Sequence, residues 1–172
     1  MTILAVPDHT EAAEYYFTYI NQVADPDVCR VLENQRAKTL TLFQGISEDA
    51  SRHRYASDKW TIRQVLSHIN DTERLFTFRA LWFARGLPDP LPSFDQDVAI
   101  AHAGADDRPW GTHVEEFRAL RTATLALFSH LPEDAWDRHG TASGNPFSVR
   151  ALAFITAGHL AHHVRLLRQR YL

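Results

Sequence analysis

His159 and His163 stand one helical turn apart in the segment SVRALAFITAGHLAHHVRLLRQR. In a helix, residues at i and i+4 project from the same face. Leu152, Ile155, Thr156 and Leu166 share that stripe, so both imidazoles are expected to point inward. A third histidine, His68, sits in WTIRQVLSHINDTERLF beside Val65 and Thr72, again on an inward face. Neutral imidazole binds zinc, nickel, copper or iron. Three histidines from two facing helices would form a facial ligand set, and catalytic zinc sites commonly use three protein ligands and keep one position open. The pair is not an H-E-x-x-H motif: Leu160 follows the first histidine where that motif has a glutamate base, which argues against a protease of that type.

Three further residues are weaker candidates for chemistry. Asp71 follows His68 by about one turn and could serve as a base, although a solvated helix face explains it equally. Asp95, in a long loop, could be a proton shuttle or simply a cap. Arg79 lies three turns beyond His68 on nearly the same face, where it could hold an anionic substrate or pair with an acidic loop residue such as Asp95. Glu73 and Arg74 read as a surface charge pattern. His162 is about 100° from His163 around the helix and reads as a boundary residue. His9, His53, His102, His113, His130 and His139 show no paired spacing and are expected at the surface. Trp60, Trp82, Trp110 and Trp136 read as packing residues, Cys29 as a small buried apolar one, and Gly158 as a point of close helix packing.

The elements that must position these groups are helices. Glu11 to Ile20 reads as a short helix with an aromatic face. A first long helix follows, with Asp25 as its N-cap and Pro26 near its start, and carries apolar positions out to Ile46. The second starts at Thr61, where Gln64 completes a capping-box pattern, and runs from Ile62 to Arg85 before Gly86 and Pro88 stop it. The third covers about Thr112 to Ser129. The fourth begins after Ser148 and reaches about Arg168, its arginines 165, 168 and 170 complementing the helix dipole. No strand pattern is visible, and Gly140 to Pro146 reads as a loop. The segment Leu87–Gly111 is too long for a hairpin connection between helices. It can carry the chain the length of a bundle, so the second and third helices should run parallel. The expected fold is an all-α four-helix bundle with one long crossover, filling residues 1–172 as a single domain.

Composition narrows the function. A net charge of −3 gives no reason to expect nucleic acid. No run of about 18 apolar residues suggests a membrane span, and the acidic start of the chain does not read as a signal peptide. The single cysteine excludes an internal disulfide and suits a reducing compartment. A cytoplasmic protein is the expectation.

Three segments, KWTIRQVLSHINDTERLFTFRAL at 59–81, FDQD at 94–97 and AGHLAHHVRLLRQRYL at 157–172, closely resemble the DinB-like superfamily of bacterial metal-binding four-helix bundles, over nearly the whole chain from about Tyr15. The resemblance implies a divalent transition metal on His68, His159 and His163: zinc or nickel, with iron or manganese as alternatives. It also implies a homodimer. Relatives often carry an acidic residue where this chain has Leu160. The superfamily includes S-transferases and an isomerase that use bacillithiol or mycothiol, alongside members described as metal-dependent hydrolases.

Three functions follow as expectations. The first is S-transfer dependent on a low-molecular-weight thiol, which would come from outside, since Cys29 lies away from the histidines. The second is hydrolysis by a water that the metal acidifies. The third is a non-catalytic, stress-associated metal-binding protein. The fold alone does not choose among them.

Overall fold

A computed structural model describes residues 5–172. Its order is a 3-10 turn at Glu14–Tyr16, α1 (Phe17–Ile20), α2 (Val28–Gln44), α3 (Ile62–Ala84), α4 (Gln96–His102), α5 (Trp110–Ser129), β1 (His139–Ala142), β2 (Asn145–Ser148) and α6 (Val149–Arg170). The four long helices α2, α3, α5 and α6 form the bundle.

Local chemistry sets their ends. Thr61 accepts from the Gln64 backbone while Gln64 reaches back to the Thr61 amide, completing the expected capping box of α3. Ser148 caps α6 through the Ala151 amide. Asp27, rather than Asp25, caps α2 by accepting from the Arg30 amide at 3.0 Å; Asp25 instead holds the Arg30 side chain. α5 begins two residues earlier than expected because Glu48, from another part of the chain, accepts from the Trp110 amide at 2.8 Å.

α3 packs on α5 and α6, and α2 packs on the same two helices from the opposite side. Asn70 meets the His113 carbonyl, and further along both chains Glu73 meets Arg121. The two numberings rise together, so α3 and α5 are parallel as the crossover required. α6 runs against α3: Trp60 meets Tyr171 while Thr72 meets His159.

The crossover is less irregular than expected, since it contains α4, with Asp95 as its cap. The expectation of no strand is corrected by the β1–β2 hairpin, paired antiparallel from His139–Ser148 to Ala142–Asn145. Its turn residues Ser143 and Gly144 both have positive φ, 52° and 73°, as a tight hairpin turn demands. The strands are too short to show alternation. They are held by bridges from Ala12 and Leu91, and by Gly140, where any Cβ would lie 2.0 Å from the Phe83 ring.

Apolar side chains form two clusters. One gathers Phe17, Ile20, Phe76, Phe83, Phe128, Phe147 and Phe154; the other gathers Phe43, Ile62, Leu66, Trp110, Phe117 and Leu167. Between them, a layer of buried polar groups crosses the bundle: His68, Thr72, Glu73, Arg121, Thr124, His159 and His163. Glu73 is therefore not a surface charge. Both its oxygens accept from Arg121, at 2.7 and 2.8 Å, and Oε1 also accepts from the Thr124 hydroxyl. The opposing charge and full set of hydrogen bonds make this burial tolerable. His113 is likewise not at the surface. It is fully buried, with Nε2 against the Ala105 carbonyl at 2.9 Å, because the chain returning from α4 folds over it. The other five histidines expected at the surface are exposed.

Candidate metal centre

His68 comes from the second turn of α3, and His159 and His163 from consecutive turns of α6. All three are buried, and one ring nitrogen from each lies within 4.8 Å of the others. His159 Nε2 is 3.1 Å from His68 Nε2 and 3.1 Å from His163 Nε2.

These two contacts cannot both be good hydrogen bonds. A neutral imidazole nitrogen carries either one proton or one in-plane lone pair, so His159 Nε2 can serve one neighbour and not both. A cation at the common focus would satisfy all three lone pairs. Two nitrogens at the usual ~2.0–2.1 Å from a zinc-sized ion are separated by roughly 2.9–3.4 Å for bond angles between octahedral and tetrahedral values. Both separations from His159 Nε2 fall in that range, and all three nitrogens lie within 4.8 Å of one another, so the donor set fits the ion.

Protonation states agree with this chemistry. Burial lowers the pKa of His68 to about 4 and that of His163 to about 3, and the other imidazoles add to the effect on His163. Burial also holds His159 well below its ordinary value. All three are neutral at neutral pH, the form that can donate a lone pair.

The ring of His159 is also oriented. Thr72 donates its single hydroxyl proton to the His68 carbonyl at 2.7 Å. Its oxygen is then an acceptor, 3.3 Å from His159 Nδ1. A proton on Nδ1 leaves Nε2 free to coordinate. His162 sits at the boundary, as expected, beside Tyr19 and edge-on to His163.

A cleft of about 190 Å³ opens onto His68 and His159. Tyr15, Tyr16, Tyr19, Phe76, Arg79 and Phe94 contribute to its wall. Gly158 lets the N-terminal tyrosines approach: a Cβ there would stand 2.1 Å from the Tyr19 carbonyl oxygen. Tyr19 in turn packs edge-on to His159 at 5.2 Å. On the other side, the Trp60 ring lies tilted against His68 at 5.0 Å, and Trp60, Tyr55 and Tyr171 line a second recess reaching His163.

Of the weaker candidates, only Arg79 reaches the cleft. Asp71 is half-buried, which raises its pKa, and it faces Arg74 instead. Asp95 accepts from the Asp97 and Val98 amides at the start of α4. The tyrosines were the missed members of the site. Their i, i+4 aromatic pattern was visible, but not the helix they would dock on.

A family model described as the DinB superfamily matches residues 32–167. The chain belongs to the DinB superfamily. Its fold is similar to that of YfiT from Bacillus subtilis, with a TM-score of 0.73 at 17% identity over 96% of this chain and 93% of the other. YfiT is described as a probable metal-dependent hydrolase with an unusual four-helix bundle topology. A search of curated protein sequences returned no significant match. Among the described residues of this DinB-superfamily chain, no helix is long and apolar enough to cross a membrane.

Proposed function

We propose that His68, His159 and His163 hold one divalent transition-metal ion and that the protein is a metal-dependent enzyme acting on a small molecule in the adjoining cleft. The observation that carries this is the convergence of three neutral, buried Nε2 atoms, which cannot satisfy one another. Bound there, such an ion would acidify a thiol or a water at its open position.

Between those two nucleophiles we favour an external low-molecular-weight thiol, and hence S-transfer. Among the described residues, no carboxylate lines the cleft. A metal-bound hydroxide still needs a group to protonate the leaving group of a hydrolysis, whereas a thiol would lose its one proton to solvent on binding the ion, attack as thiolate and expel an anionic leaving group such as chloride without further proton transfer. The chain's own thiol is no substitute: Cys29, only half-buried rather than buried as expected, packs against the phenylalanine-rich cluster, and desolvation raises its pKa. The aromatic wall would exclude water and hold an apolar electrophile. Hydrolysis is the second reading, favoured by the description of YfiT.

The deciding experiment offers metal-loaded protein an electrophile, monochlorobimane, with and without bacillithiol, mycothiol or cysteine. Conjugation that requires both thiol and metal supports S-transfer. Thiol-independent turnover of 4-nitrophenyl acetate, lost in His163→Ala, would replace it with hydrolysis.

A further inference from the structure

The cleft that ends at the histidines carries a charge on its far wall. Arg79 follows His68 by eleven residues, about 20° around the helix and three turns along it, so the two share one stripe with Thr72 and Phe76. Arg79 is only 2% exposed.

Its surroundings differ from those of the other deeply buried arginines. Arg121 lies on Glu73 and Arg63 on Glu48. Arg79 has no carboxylate partner among the described residues. Its Nη2 donates to the Pro92 carbonyl at 3.1 Å and to Ser143 Oγ at 2.8 Å, and its Nε is buried with no acceptor. Asp95, the expected acidic partner, is occupied as a helix cap. The Tyr16 phenol lies beside the guanidinium, but burial raises its pKa, so it is neutral and supplies no counter-charge.

A buried, unpaired cation is costly. Two neutral acceptors, with the Phe147 ring 5.9 Å from the guanidinium carbon, fix its position without neutralising it, which leaves charge and donors for an anion. Much of the remaining wall is aromatic, with Tyr15, Tyr19, Phe76 and Phe94, and its other polar groups, Thr72, Gln96 and Ser143, are neutral. A single cation in a small apolar cleft suits a monoanion with an apolar body better than a multiply charged phosphate.

We propose that Arg79 is the anion-recognition residue of this cleft, and that the ligand is an organic carboxylate whose carboxylate sits on Arg79 and whose apolar body lies along Phe76 and Tyr19 toward the histidines. Only the direction of the reacting end rests on the metal-centre reading.

The test measures binding of phenylacetate, 3-phenylpropionate, 4-phenylbutyrate and hexanoate, each beside its primary amide, by calorimetry. Wild type, Arg79→Met and Arg79→Lys are compared, with metal and after EDTA. The expected result is that at least one carboxylate binds wild type tenfold or more tightly than its amide. That preference should persist without metal, vanish in Arg79→Met and return in part in Arg79→Lys. No carboxylate preference in wild type would overturn the proposal, even if the methionine variant failed to fold. Displacement of the carboxylates by equimolar inorganic phosphate would overturn the monoanion assignment. A preference that needs metal and survives Arg79→Met would put the carboxylate at the histidines, sinking the Arg79 role while leaving the metal centre intact. Metal uptake, measured separately, tests that centre alone.

Discussion

The Thr72 hydroxyl lies 3.3 Å from His159 Nδ1 and sends its own proton to the His68 carbonyl. One side chain therefore ties the helix that carries His68 to the tautomer of His159. Groups that orient a ligand histidine from behind typically contribute 10–100-fold to metal affinity. Thr72→Val keeps the shape and removes the acceptor. It should weaken metal binding by about that factor, while Thr72→Ser should stay near wild type. Chelator competition against both variants checks this.

Acid should destabilise the metal-free protein for a specific reason. His68 and His163 titrate near 4 and 3 in the folded state, against about 6.5 in an unfolded chain. Between those values the unfolded chain binds protons that the folded chain excludes, so stability rises with pH across that window and is flat above it. Urea midpoints should fall steadily from about pH 6.5 toward pH 4. The slope should be shallower in a His68→Gln, His163→Gln double variant. An equal slope in both proteins would mean that other groups govern the acid response.

Gly158→Ala sets two effects in opposition. Helix propensity alone predicts a gain of ~1 kcal/mol. The new Cβ would meet the Tyr19 backbone at 2.1 Å, and backbone cannot step aside as a flexible side chain can. The clash should dominate. The melting temperature should fall, and ligand binding in the cleft should weaken as α1 moves off α6. A stabilised variant with an intact cleft would contradict the packing described here.

What the sequence reveals and what it conceals divide along a physical line. Thr61 with Gln64, His159 with His163, and the proline-rich crossover are local patterns, and a local pattern can be read from spacing because helix geometry fixes it. The all-α bundle, the parallel α3 and α5, and the inward faces of His68, His159 and His163 all follow from such patterns. Glu73 on Arg121, and His113 beneath the loop that follows α4, depend on which elements meet across the bundle. A glutamate next to an arginine in sequence looks like a solvated pair, and only the partner on α5 reveals that it is buried. The hairpin at 139–148 escaped for the same reason, since its strands are held by residues far from it in the chain. Tyr15, Tyr16 and Tyr19 form a visible aromatic stripe, but their place beside the histidines depends on the close approach that Gly158 allows.

The metal centre is tested most simply by elemental analysis of protein purified without a polyhistidine tag, with His163→Ala alongside and circular dichroism to verify that both are folded. Convergence of His68, His159 and His163 on one ion predicts about one equivalent of a divalent transition metal in wild type, and loss of most of it in the variant. Full metal occupancy in folded His163→Ala, or no metal in wild type even after titration with zinc, nickel, iron and manganese, would contradict the account.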